Sequence, residues 1–310
     1  MVTLVRAPNP SPMTLSGTNS YVLDCGDGTA LVIDPGPAIE RHFAALVETA
    51  ASRGCSITRI LLTHGHPDHA SGARALAAKT GALVYAHPKC KVAHDADLPL
   101  EAGFAAGSVA LATIDAPGHT FDHVIFYLPE ERALFTGDTI LGEGTTVIAP
   151  PGGAMRPYQQ TLARLASEFA EARTIYGGHG PVVYDAQAKI AEYIAHRRMR
   201  EEQILDGLRA GDRTIPDLVH RIYSPQQSPL WGAMARQILA HLIALQSEGR
   251  IVARRLERPL TADEFALLNP DLAALVGADE AAALEAELGT ELRLESLDEY
   301  RPAEGPRSSS

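Results

Sequence analysis

The stretch LLTHGHPDHA, residues 61–70, places His64, His66, Asp68 and His69 within six positions, directly after an apolar run. Imidazoles and a carboxylate this close together are the ligand types of a divalent cation, Zn²⁺ first and Mn²⁺ or Fe²⁺ as alternatives. A helix sends neighbours one and two apart to different sides, so convergence requires a loop. There His64 and His66 can grip one ion, and Asp68 and His69 can point to a second. Four ligands do not complete two sites, and three further stretches offer the rest: Pro117-Gly118-His119-Thr120, Phe135-Thr136-Gly137-Asp138 and Tyr176-Gly177-Gly178-His179-Gly180. Each follows a strand-like run and sets one ligand beside glycine, which lets the backbone turn tightly near a metal. His119 completes the first site and His179 the second, while Asp138, with two oxygens, can bridge both.

Open positions on such a centre would take water and substrate. Two cations about 3.5–4 Å apart would hold a bridging hydroxide, formed because they lower the pKa of bound water toward ~7. Asp68 is assigned the catalytic role of orienting that nucleophile while it ligates. No Ser-His-Asp triad or phosphate-binding glycine loop competes with this reading.

The elements that must carry these ligands alternate between strand-like and helix-like texture. Strands are expected over 21–24, 30–34, 57–63, 82–86, 108–114, 123–128, 133–136 and 174–177, with helices over 38–52, 70–80 and 157–171. Recurring strands with helices between them imply an α/β architecture. Beyond residue 180 the texture becomes helical, over 186–210, 214–223 and 229–247, and then a short strand over 251–256.

Five elements in order, Ile33-Asp34-Pro35-Gly36, His64 to His69, Gly118-His119-Thr120, Thr136-Gly137-Asp138 and Gly177-Gly178-His179, resemble the metallo-β-lactamase superfamily and its H-x-H-x-D-H motif. The resemblance implies a four-layer αβ/βα sandwich and the same seven ligands. It also implies that Asp34 supports the ligands from behind, with Thr63 beside it. The stretches PGHTFDH (117–123), GDTILGEGTT (137–146) and HRRMREEQIL (196–205) further resemble the beta-lactamase-like protein 2 branch. That branch carries a C-terminal winged-helix domain and includes an endoribonuclease, fungal polyketide thioesterases and bacterial hydrolases. The expected organisation is a catalytic domain over 1–184, a winged helix over 185–256 and an acidic helical extension with a frayed end over 257–310.

His123, four residues after His119, and Arg156 and Tyr158, behind the loop Pro150-Pro151-Gly152-Gly153, are candidates for the substrate cleft, with a structural role as the favoured reading of each. Where the branch often has an acid, this chain has Ala154. His42, His87, His94, His196, His220 and His241 read as surface or packing residues.

Charge is uneven. Residues 1–184 hold 12 basic and 17 acidic side chains, 185–255 hold 11 and 8, and 256–310 hold 4 and 13. A chain with net charge −11 is not built for tight nonspecific nucleic-acid binding. Cys25, Cys55 and Cys90 form no C-x-x-C pair, and neither a signal-like segment nor a membrane span is seen, so the expected location is cytoplasmic. The function expected is hydrolysis of an ester, thioester or phosphodiester in a small molecule by a paired-metal, chiefly zinc, centre. An endoribonuclease that takes RNA on Arg197 and Arg198, a single-iron oxygenase, and a winged-helix regulator with a silent metal site are the alternatives. A homodimer is an assembly that the winged helix would support.

Overall fold

The computed structural model describes residues 2–278, 281–282 and 293–303. Its architecture follows from period-two alternation in strands that are buried on both faces. Tyr21, Leu23, Leu31 and Ile33 turn one way, while Val22, Ala30 and Val32 turn the other. Likewise Val124, Phe126 and Leu128 oppose Ile125 and Tyr127. Such strands need a layer on each side.

The first sheet runs β1 (Val2–Arg6), β2 (Asn19–Asp24), β3 (Thr29–Ile33), β4 (Ser56–Leu61), β5 (Leu83–Ala86) and β6 (Ala96–Asp97), in that order. β1 to β3 are antiparallel, and β3 to β6 are parallel. The second sheet contains β7 (Ala102–Ala106), β8 (Val109–Asp115), β9 (Val124–Leu128), β10 (Ala133–Gly137) and β11 (Thr174–Gly177) in the order β11-β10-β9-β8-β7. The facing sides share one core, in which Leu31 and Leu61 meet Leu111, Phe126 and Phe135. On the outside of the first sheet lie α1 (Glu40–Ala51), the single turn α2 (Pro67–Ala70) and α3 (Ala73–Thr80). On the outside of the second lies α4 (Met155–Glu168), joined by α5 (Ala186–Ala210). This is the expected four-layer α/β sandwich.

One continuous helix over 70–80 is not formed. The chain breaks between α2 and α3, where the Gly36 N–H donates to His69 O at 3.1 Å and the Gly72 N–H donates to Gly36 O at 3.0 Å. The break ties the loop after β3 to the histidine motif.

Past α5, whose first turn is capped by the Asp185 side chain accepting from Ala188 N–H, come α6 (Ile215–Ile222) and α7 (Trp231–Ser247). A capping box between Thr214 and Asp217 starts α6. The strand β12 (Ile251–Arg255) follows, then α8 (Ala262–Leu268) and α9 (Leu272–Val276). β12 pairs antiparallel with β13 (Asp298–Pro302), from the segment expected to be a separate extension. Leu268, Leu297 and Tyr300 share a core with Ile204, Leu218 and Leu242, so this segment belongs to the same body as α5–α7. Ile190, Tyr193, Ala240 and Ala244 in turn pack on the outer face of the second sheet. Among the described residues no helix is long and apolar enough to cross a membrane, and the three buried cysteines form no disulfide.

Tyr300 is buried in that small core. Tyr300→Ala should cost about 3 kcal/mol through lost contacts and the cavity left behind, read as a lower urea midpoint. A loss under about 0.5 kcal/mol, the range of an ordinary surface substitution, would show β13 to be dispensable.

Candidate metal centre

Five strands deliver the site, each from its C-terminal end. Asp34 follows β3, His64 follows β4, His119 lies beyond β8, Asp138 follows β10 and His179 lies just beyond β11. His66 caps α2, and Asp68 and His69 lie in its single turn. All seven expected ligands meet there. His64, His66 and His119 offer ring nitrogens within 4.8 Å of one another, and the ring nitrogens and carboxylate oxygens of His64, His69 and Asp138, and of Asp68, His69 and His179, lie equally close. Asp138 lies between the groups: Oδ1 is 3.3 Å from His69 Nε2, and Oδ2 is 3.4 Å from His179 Nε2 and 3.8 Å from His119 Nε2. Gly178 makes room for this, because a Cβ there would collide with Asp138 Oδ1 and His69.

Asp34 sets which ring nitrogens face inward. Its carboxylate accepts from the Thr63 N–H at 2.8 Å, the Thr63 hydroxyl at 2.7 Å and His69 Nδ1 at 2.9 Å. Once the Thr63 proton is donated to Asp34, Thr63 Oγ1 can only accept from His64 Nδ1, 3.0 Å away. Both histidines therefore hold a proton on Nδ1 and turn Nε2 toward the centre. His119 follows suit, since Nδ1 bonds to Val147 O at 3.0 Å. Asp34 itself sits at φ 52°, a left-handed conformation that Asp tolerates better than most residues and that three donors hold in place.

The electrostatics divide the centre in two. Burial, reinforced by neighbouring positive imidazoles, pushes the His64 pKa well down, and burial with the charge of His66 brings His119 to about 4. In the other half burial also opposes protonation, but Asp68, Asp138 and Asp34 outweigh it and raise His69 well above its ordinary value. His179 is likewise raised to about 10, burial being overcome by Asp138 and Asp68. Burial would raise both aspartates, yet the facing His69 and His179 hold Asp68 and Asp138 low.

The donor set fits divalent cations. His64 Nε2, His69 Nε2 and Asp138 Oδ1 are buried without a hydrogen-bond partner. His69 Nε2 and Asp138 Oδ1 are only 3.3 Å apart, yet they lack hydrogen-bond geometry. Such atoms aim past one another at a shared point, and orphaned buried polar groups are otherwise costly.

The structure corrects several expectations about the cleft. His123 does not line it. The ring is fully buried, stacks on His64 with centroids 4.8 Å apart, and accepts from the Asp138 N–H at 3.2 Å. It is a floor under the ligands. Tyr158 is also fully buried, and its hydroxyl donates to Thr139 O at 2.7 Å. Arg156 pairs with Glu248 and, at 3.7 Å, with Glu201, so it fastens α4 to α5 and the end of α7. Arg197 cannot present a basic face to RNA: it is 1% exposed, donates to Thr146 O at 2.6 Å, and lies between the rings of Tyr158 and Tyr193. Together Tyr158, Tyr193 and Arg197 clamp the loop 138–146 that carries Asp138.

Sequence reading also missed residues that matter. The Thr18 hydroxyl donates to Asp68 Oδ2 at 2.9 Å, and nothing in its surroundings marks it. The cleft, with a volume of about 910 Å³, opens from His66, Asp68, His119, Asp138 and His179 toward α5 and α7, where His196, Arg200, Arg236 and Gln237 line it. Of these, only His196 and Arg200 stand in the HRRMREEQIL stretch, which does not say which way each one faces.

Residues 13–179 match the metallo-beta-lactamase superfamily. The chain belongs to that superfamily. The sequence is 36% identical to the beta-lactamase-like protein 2 homolog of Caenorhabditis elegans, covering 72% of this chain and 76% of the relative. It is 34% identical to an atrochrysone carboxyl ACP thioesterase of Claviceps purpurea, over 71% of each chain. A metallo-beta-lactamase family protein from Thermus thermophilus shares the fold, with a TM-score of 0.67 and 24% identity over 82% of this chain and 95% of that one. For this member of the superfamily, the His/Asp clusters are those expected of a divalent-metal site.

Two measurements follow. Asp34→Asn removes one acceptor oxygen from beneath His69 and Thr63 and should weaken metal binding ~10–100-fold in chelator competition. Unchanged affinity would mean that Asp34 does not hold the ligands. In the metal-free protein His69 and His179 keep their protons at neutral pH, because their pKa values are raised. Cation uptake must expel those protons, so apparent affinity should climb with pH until it passes about 10, the value to which His179 is raised. Calorimetric titrations in buffers of different ionisation enthalpy would show the released protons, and a count of zero would contradict this.

Proposed function

We propose that this superfamily hydrolase uses a pair of divalent cations, zinc being the resident metal, to hydrolyse an ester, thioester or phosphodiester in a small amphipathic molecule. One observation carries the reading: inward ring nitrogens oriented by Asp34 and Val147 meet two aspartates at the base of a cleft. His64, His66 and His119 would hold one ion, and Asp68, His69 and His179 the other, with Asp138 between them. Such ions lower the pKa of water and polarise a carbonyl or phosphoryl oxygen.

The chain's own part is orientation and exclusion. Thr18, His69 and His179 all contact Asp68 Oδ2. We assign Oδ1 to orient the attacking water and receive its proton. The loop 138–146, held by Tyr158, Tyr193 and Arg197, fixes Asp138 against recoil. Met13, Leu15, Leu141, Met234 and Leu272 line the cleft and would shed water around an apolar substrate body. The thioesterase named among the relatives supports an acyl substrate. We read α5–α7 with β12 and β13 as a winged-helix-like unit that walls the cleft. The burial of Arg197 favours this role over RNA binding.

The test is a panel of thioesters, lactones, phosphodiesters and RNA, offered to zinc-, manganese- and iron-loaded protein. Zinc-loaded protein should cleave an ester, a thioester or a small phosphodiester, and Asp68→Asn should reduce kcat/KM at least ~100-fold with its melting temperature kept. Wild-type turnover by the Asn variant, or cleavage of RNA alone, would sink the proposal.

A further inference from the structure

His119 draws its support from outside the sandwich. Asp34 and Thr63 order His64 and His69, Thr18 holds Asp68, and Gly17 O lies 3.5 Å from His179 Nδ1. Those partners belong to the first sheet and the loops that join its strands. His119 leans instead on the carbonyl of Val147, to which its Nδ1 donates at 3.0 Å. That carbonyl shares one peptide plane with the Ile148 N–H. A trans peptide is rigid and directs its C=O and N–H to opposite sides. On the far side the Ile148 N–H donates to Gln237 Oε1 at 2.9 Å. Gln237 stands in α7 and is only 6% exposed, and Ile148 is fully buried, so bulk water is not there to replace the acceptor. The preceding peptide is fastened from α5, where Arg197 donates to Thr146 O at 2.6 Å. Two helices of the C-terminal body thus pin the two peptides that flank the Val147 side chain.

We propose that Gln237 is a positioning residue for the cation of His64, His66 and His119, acting through the Val147–Ile148 peptide on the His119 ring. Gln237 Oε1 fixes the N–H, the plane aims the C=O at His119 Nδ1, and Nε2 is left to face the centre. Hydrogen bonds in series polarise one another, so the same contact makes the carbonyl a stronger acceptor and the ring a more basic ligand. Without the acceptor, a buried N–H stays unsatisfied at the full cost of its desolvation. The plane then gains by turning toward another acceptor, and the carbonyl turns with it. Asp68, His69 and His179 find their partners within the sandwich, so the other ion does not feel this contact. The inference rests on the paired-cation reading and states which of the two ions depends on α7.

Zinc titrations of the whole metal-free chain, followed by calorimetry against a competing chelator, resolve the two ions. Gln237→Met removes the acceptor at nearly constant size. It should weaken one ion about tenfold, the low end for a group behind a metal ligand, and leave the other unchanged. Gln237→Glu keeps an acceptor oxygen and should retain both affinities. In His119→Ala the ring to be positioned is gone, so adding Gln237→Met should cost nothing further. Ile238→Val loosens the buried face of the same helix without touching the relay, and should lower the melting temperature while sparing both ions. No weakening of either ion by Gln237→Met, equal weakening of both, the same loss in Gln237→Glu, or an added loss in the His119→Ala background would overturn the proposal and leave the paired-cation reading standing. Uptake of fewer than two zinc ions by the wild-type protein would remove that reading and this inference together.

Discussion

The Asp34 carboxylate is the contact on which the centre depends. A histidine binds a cation only through a nitrogen that carries no proton, and each imidazole has two to choose from. By accepting from His69 directly and from Thr63, which then accepts from His64, one buried carboxylate makes the choice for two ligands at once. In a low-dielectric interior such a chain of bonds holds firmly, and losing one member leaves the others unsatisfied. The strained backbone at Asp34 is the cost of bringing that carboxylate beneath both rings.

The layers explain how ligands scattered from residue 64 to residue 179 reach one place. Strands buried on both faces fix which residues can leave a sheet only at its edge, and here β3, β4, β8, β10 and β11 all end at the centre. Glycine then governs how closely the exits approach. Gly118, at φ 147°, passes where a Cβ would strike the Tyr158 backbone, so the turn carrying His119 lies directly on α4. The same helix, with α5, clamps the loop of Asp138. The ligand geometry is therefore coupled to helices of the outer layer and of the C-terminal body.

The candidate ligands were legible because their chemistry is rare and because His119, Asp138 and His179 each stand beside a glycine at a strand end. The central strands were legible from alternation, and α5 from its long pattern closed by Gly211. What escaped depended on distant partners. Val2–Arg6 and the bland AGFAA of β7 become strands only because β2 and β8 offer ladders. β13 is a strand only because β12 is waiting for it. His123 and Tyr158 stand next to motif residues, but proximity in sequence does not say which side of a layer a side chain faces. Thr18 and Gln237 are ordinary residues brought to the ligand shell and to the cleft lining only by what folds against them. Local pattern reports what a residue can do, whereas burial and partners decide whether it does.

The pairing of β12 with β13 has a consequence for biosynthesis. Every ligand lies at or before His179, while the last strand of the cleft-walling body ends at Pro302. A ribosome must add roughly 120 residues after the final histidine, about ten seconds of elongation at ~5–20 residues per second. In that interval every strand that carries a candidate ligand has been made, while the residues that complete the wall of the cleft are still to be added.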